Sequence, residues 1–80
     1  MDDAEIVRRI QDLTEQEQAL ERAHQGEGLS PADLERLRDT EVALDQCWDL
    51  LRQRRARRGA GQDPDAASAR PERVVEGYEQ

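Results

Sequence analysis

Two stretches of the chain carry apolar residues at spacings of three, four and seven. In the first stretch these residues are Ile6, Ile10, Leu13 and Leu20, and in the second they are Leu34, Leu37, Leu44, Trp48 and Leu51. Such spacing places an apolar stripe along one side of an α-helix. Neither stretch alternates with the period of two that is typical of a strand. The pattern therefore predicts two amphipathic helices and an all-α fold.

Residues with capping chemistry mark where both helices begin. Asp2 and Glu5 have the spacing of a capping box, in which each side chain bonds to the backbone N–H of the other. Ser30 repeats the signal and is followed by a proline, which suits the first turn of a helix. Glycines follow both stretches, and Gly59 comes directly after an arginine run. These signals predict helices over about residues 3–25 and about residues 31–58.

The short linker between the helices predicts that they fold back as an antiparallel hairpin. Folding about residues 28–29 sets Glu17 opposite Glu41 and brings the two apolar stripes together. The expected apolar pairs are Ile6 with Leu51, Ile10 with Trp48, Leu13 with Leu44, and Leu20 with Leu37. The residues predicted for a core or an interface are Ile6, Ile10, Leu13, Leu20, Leu34, Leu37, Leu44, Cys47, Trp48 and Leu51.

The chain changes character after the second helix. Residues 59–70 are small and polar and include glycine and proline, which is typical of an extended link. Three apolar residues follow, and we expect them to dock on a helix face of this chain or of a neighbour: Val74, Val75 and Tyr78. The expected organisation is a helical hairpin over residues 1–58 and an irregular, partly docked tail over residues 59–80.

A two-helix hairpin buries little apolar surface, because each stripe is covered from one side only. A second hairpin is the common remedy, since it closes a four-helix bundle. We therefore expect an antiparallel two-helix hairpin with a mostly extended C-terminal tail that forms a homodimer.

Composition narrows the classes of protein further. The chain has 80 residues, of which 39% are charged and only two, Trp48 and Tyr78, are aromatic. No apolar run approaches the roughly 18 residues that a membrane span needs, and a single cysteine cannot build a disulfide framework. The net charge of -7 argues against a general nucleic-acid binder. We expect a cytoplasmic protein that has no membrane contact and needs no cofactor.

Five arginines and no acidic residue lie within residues 52–58. Cations are favoured at the C-terminal end of a helix by its dipole, and the hairpin brings the acidic residues Asp2, Asp3 and Glu5 alongside. The alternative is that this run binds nucleic-acid phosphates or an acidic protein. The residues concerned are Arg52, Arg54, Arg55, Arg57 and Arg58.

Carboxylates in the seam between the helices raise the alternative of a metal-binding bundle. Glu17 and Glu41 face each other, and Glu21 and His24 form a Glu-x-x-His unit of the kind that di-iron bundles use. His24, however, lies near the loop, away from the carboxylate pair. We therefore predict no metal site and keep Glu17, Glu41 and His24 as the alternative.

The lone cysteine, Cys47, has no partner for catalysis in the predicted hairpin. A nucleophilic cysteine needs a nearby base, and His24 is expected about 30 Å away by helix rise. We predict a buried thiol that packs beside Trp48. A disulfide between two copies of Cys47 at a dimer axis is the alternative.

The segment DQCWDLLRQRRA at 45–56 resembles a family of small actinobacterial proteins, domain-of-unknown-function family 2630. The flanking segments GEGLSP, GQDPD and RPERVVEGYEQ extend the resemblance over nearly the whole chain. The resemblance implies a bacterial, cytoplasmic and helical protein, and it supplies no active site.

Together these patterns predict a small protein that is not an enzyme. We expect it to act in assembly or as an adaptor through its helical surfaces, with a second copy and an unidentified protein as partners.

Overall fold

The computed structural model describes residues 1–23 and 28–71 of the chain. Helix α1 spans Asp3–Ala23, helix α2 spans Pro31–Gly59, and a short 3-10 turn follows at Pro64–Ala66. These residues contain no strand, so the predicted all-α class is confirmed for this part of the chain. Neither helix is long and apolar enough to cross a membrane.

Both predicted helix starts are confirmed by their hydrogen bonds. The Glu5 N–H donates to Asp2 Oδ1 at 2.8 Å, and the Asp2 N–H donates to Glu5 Oε1 at 3.2 Å. The Asp33 N–H donates to Ser30 Oγ at 3.2 Å, and Ser30 itself has extended backbone angles. Each cap satisfies backbone donors that a helix start otherwise leaves without a partner.

Helix α2 ends slightly later than its sequence predicts. Gly59 is the last helical residue, and Gly61, with a φ of +73°, reverses the chain. The Gln62 N–H donates to the Arg57 carbonyl at 2.7 Å, which closes the helix end. The positive φ favours glycine at position 61, because a side chain is strained there.

The two helices pack side by side in opposite directions. The start of α1 contacts the end of α2, because Asp3 is ion-paired with Arg54 and Arg58. Ile6, Ile10 and Leu51 form the buried apolar cluster between them. Leu44, Cys47 and Leu50 of α2 pack against that cluster, and Leu13 of α1 is also buried.

The core differs from the prediction at two apolar residues of α2. Trp48, expected to pack against Ile10, keeps 45% of its surface exposed, and Leu34 keeps 53%. Helix α2 turns Cys47 and Leu51 toward α1, which leaves Trp48 at the edge of the seam. Leu20 and Leu37, the expected pair nearest the linker, are both half-buried.

After Gly61 the chain folds back along α2. We call residues 63–71 the strap. Asp63 caps its 3-10 turn by accepting the Asp65 N–H at 3.0 Å. The strap then continues without regular structure and contacts α2 through polar groups. The expected docking residues Val74, Val75 and Tyr78 lie outside the described residues.

Candidate functional site

Arg54 joins three segments of the chain at the end of the hairpin. Its Nε donates to Asp3 Oδ1 at 2.5 Å, and its Nη1 donates to Asp65 Oδ1 at 2.9 Å and to the Pro64 carbonyl at 3.2 Å. Only 6% of Arg54 is exposed. The guanidinium thus holds the start of α1, the end of α2 and the strap together.

The ion pairs at this junction stabilise the charged form of Asp3. Hydrogen bonds from Arg58 and then Arg54 lower the pKa of Asp3 to about 2, and the same contact with Asp3 raises the pKa of Arg54. Arg54 was expected among the arginines available to a phosphate or a partner. The structure corrects that expectation, because Arg54 is buried and already bonded within the chain.

The other arginines of the run are distributed around α2. Arg58 is bonded to Asp3, in agreement with the expected pairing to the acids of α1. Arg52 lines an open groove of about 320 Å³ together with Gln53, Ala56 and Arg70. Arg55 is exposed on another side, and Arg57 is half-buried. The run is therefore not one continuous basic surface.

Asp49 is the most deeply buried charged side chain among the described residues, with 0% exposure. Arg70 of the strap binds it with both arms of the guanidinium, through Nη2 to Oδ1 and through Nε to Oδ2, the latter at 2.9 Å. Gln53 Nε2 donates to Asp49 Oδ2 at 2.9 Å. These bonds, the one from Arg70 foremost, lower the pKa of Asp49 despite its burial.

Two amides of α2 fix the strap on either side of this ion pair. Gln53 Nε2 also donates to the Ser68 carbonyl at 2.8 Å, and Gln46 Nε2 donates to the Arg70 carbonyl at 3.3 Å. The apolar pattern of the sequence does not reveal this polar site. The sequence signal for it is a polar stripe on α2, in which Gln46, Asp49 and Gln53 lie three and four residues apart.

Cys47 lies at a shallow groove between the helices and the strap. The groove encloses about 180 Å³ and is lined by Met1, Arg9, Ala43, Gln46, Cys47, Leu50 and Ala69. Burial raises the pKa of the Cys47 thiol, and the positive charge of Arg9 opposes that shift only in part. The thiol is therefore protonated at neutral pH and a poor nucleophile.

Glu17 lies in an acidic part of the seam. Burial, and then the charges of Glu21, Glu41 and Asp45, raise its pKa. Glu41 itself is exposed, so it lies near Glu17 at the open edge of the seam. In the described part of the chain, no group of three or more His, Cys, Asp or Glu residues could hold a metal ion. His24 lies outside that part.

One side of the hairpin carries exposed apolar side chains. Side chains two residues apart on a helix point in nearly opposite directions. This holds for Val7 and Arg9 on α1, and for Trp48 and Leu50 on α2. Arg9 and Leu50 line the groove at Cys47, which places Val7 and Trp48 on the other side. Val7 is 40% exposed. We call this side the Trp48 face.

The comparisons with known proteins find one matching family and several uncharacterized relatives. The model of a protein family of unknown function, DUF2630, matches residues 2–80. The uncharacterized proteins Rv0898c of Mycobacterium tuberculosis and Mb0922c of Mycobacterium bovis are each 48% identical over 77 residues, which cover 95% of this chain and 88% of theirs. No solved structure is significantly similar to this chain.

Proposed function

This chain belongs to the DUF2630 family, and from that premise we propose that it is a small non-enzymatic assembly or adaptor protein. It binds other protein chains through the Trp48 face, in the bacterial cytoplasm. Its first partner is a second copy of itself, with which it completes a four-helix bundle. Two helices contribute from each chain, and the strap stays on the outside.

The exposure of Trp48 is the observation that carries this proposal. Trp48 is a large apolar side chain that keeps 45% of its surface exposed after packing against the described residues. Tryptophan is one of the residue types enriched among those that dominate the free energy of protein–protein binding. Since it lies at mid-length on α2, it can be covered by a helix of another chain.

The thin interior supports the same conclusion. Among the described residues, the buried hydrophobic ones are Ile6, Ile10, Leu13 and Leu51. Such a core is small for two helices of 21 and 29 residues, and small domains commonly gain stability by oligomerisation. A second hairpin that covers Trp48, Val7 and Leu34 would bury apolar side chains that are exposed in the single chain.

Binding through the arginine run is a weaker alternative. Asp3 and Asp65 take up the charges of Arg54 and Arg58, so fewer cations remain for phosphates than the sequence suggests. The metal-binding alternative depends on His24 and on the acidic seam at Glu17, and no observation in the described residues favours it over the assembly role.

Light scattering on a sizing column, across a wide range of protein concentration, tests the proposal. We expect the wild-type chain to elute as a dimer and Trp48→Ala to elute as a monomer with its helical circular dichroism retained. Arg8→Ala, on the outer side of α1, is the control and should stay dimeric. A wild-type chain that is monomeric at every concentration would contradict the proposal.

A further inference from the structure

We infer that the second copy docks antiparallel on the Trp48 face, with Trp48 on the two-fold axis and Glu41 ion-paired with the partner's Arg55. This inference rests on the proposed function and specifies the geometry of its dimer. In this arrangement α2 of one chain runs against α2 of the other, and the same contacts occur twice, as a two-fold interface requires.

The charges of α2 favour the antiparallel direction. Residues 31–47, before Trp48, contain five acids and two arginines, a net charge of -3. Residues 49–59, after Trp48, contain one acid and five arginines, a net charge of +4. Antiparallel helices set the acidic half of each against the basic half of the other, whereas parallel helices would set like charges together. The helix dipoles also oppose each other favourably.

The register follows from Glu41 and Arg55. Each lies seven residues from Trp48, which is about two helical turns or 10.5 Å along α2 and nearly the same direction around it. With Trp48 on the axis, Glu41 of one chain therefore meets the partner's Arg55, and the reverse pair forms as well. Leu34, another seven residues before Glu41, continues this stripe and is exposed.

Both charged residues are available for such a pair. Glu41 and Arg55 are exposed, and neither has an ion-pair partner among residues 1–23 and 28–71. They are 14 residues apart on one helix, about 21 Å, so they cannot pair within the chain. An ion pair between them requires two chains.

The rest of the hairpin leaves this stripe open. Helix α1 covers the side of α2 that carries Cys47 and Leu51, and the strap covers the side that carries Asp49 and Gln53. Trp48 lies between these two sides, where neither α1 nor the strap covers it. A second α2 is thus able to approach without displacing the strap.

Charge reversal of the full-length chain tests the register. We expect Glu41→Arg alone and Arg55→Glu alone each to raise the dimer Kd at least about tenfold, because each replaces two attractive contacts with two repulsive ones. The double variant should recover most of the wild-type Kd, and so should an equimolar mixture of the two single variants. The Kd is measured by sedimentation equilibrium at low salt, with circular dichroism as the check of folding.

Glu35→Arg is the matched control, because Glu35 is exposed on the same helix but not on the Trp48 face. It should leave the Kd nearly unchanged. Single variants that dimerise like the wild type, or a double variant that stays as weak as the singles, would overturn the register while leaving a Trp48-dependent dimer in place. A monomeric wild type would overturn the inference together with the proposed function.

Discussion

Two carboxyl groups of this small hairpin, those of Asp3 and Glu17, have pKa values shifted in opposite directions. Asp3 is held ionised by Arg58 and Arg54, and its pKa falls from 3.8 to about 2. The stability that Asp3 contributes is therefore complete above pH 3.8 and is lost as the pH falls toward 2. Glu17 behaves in the opposite way, because no arginine offsets its burial and its acidic neighbours. The seam thus carries an electrostatic cost at neutral pH.

Replacing Glu17 with glutamine should stabilise the protein at neutral pH. The folded-state pKa of Glu17 lies above its ordinary value of 4.5. Ionisation of Glu17 therefore lowers the free energy of unfolding, and this loss is complete once the pH exceeds the folded-state pKa. We expect Glu17→Gln to raise the free energy of unfolding by about 0.2–1 kcal/mol at pH 7. The gain should vanish below pH 4.5, where the wild-type carboxyl is protonated in both states.

Urea unfolding at pH 7 and at pH 3.5, followed by circular dichroism, measures this difference. Glu15→Gln is the control, because Glu15 is exposed on α1 and should change stability little at either pH. A Glu17→Gln variant that is less stable than the wild type at pH 7 would show that the carboxylate has a favourable partner.

Two ion pairs hold the strap to α2: Arg54 with Asp65 near its start, and Arg70 with the buried Asp49 further along. Asp49 faces Arg70 across 21 positions of sequence, with Gln46 and Gln53 bonded to the strap backbone on either side. The C-terminal part of the strap should therefore respond to loss of the Asp49 charge, while Arg54 still holds its start.

Asp49→Asn should destabilise the folded chain and release the C-terminal part of the strap. An uncharged amide cannot stabilise the guanidinium of Arg70 as a carboxylate does, and we expect a loss of about 1.5–3 kcal/mol, the range for a hydrogen bond to a charged group. Combining it with Arg70→Gln should cost less than the sum of the single changes, because both remove the same contact. Urea unfolding gives the free energies.

Asp45→Asn provides the comparison for that series. Asp45 lies one turn earlier on α2 and has no ion pair in the described part of the chain, so its loss should change stability by less than about 0.5 kcal/mol. Equal effects at positions 45 and 49 would mean that the ion pair with Arg70 contributes nothing specific.

At the scale of the whole molecule, stability and assembly are coupled. A hairpin with few buried apolar residues is stabilised by anything that binds only its folded form. For a dimer we expect the Tm to rise by about 4 °C for each tenfold increase in protein concentration. Calorimetry at several concentrations measures this slope. Trp48→Ala should have none, and a wild-type Tm independent of concentration would argue for a monomer.

Local chemistry made much of the fold predictable. The capping box at Asp2 and the N-cap at Ser30 each involve residues three apart, so their hydrogen bonds depend on the sequence alone. The apolar spacing likewise determined that two helices form and that they face each other. The pairing of the arginine run with Asp3 followed from the hairpin, because an antiparallel hairpin places the acidic start of α1 beside the basic end of α2.

The tertiary structure decided which side of α2 faces α1 and what the strap binds. Cys47 and Trp48 are adjacent on the helix, so a rotation of 100° or less exchanges which one lies nearer the seam, and periodicity allowed both. Arg70 reaches Asp49 across a chain reversal at Gly61 that no local pattern specifies. The sequence determined the elements, because their signals are short-range. The side of α2 that is buried and the partner of Asp49 depended on contacts between residues that are far apart in sequence. Such contacts exist only once the chain has folded.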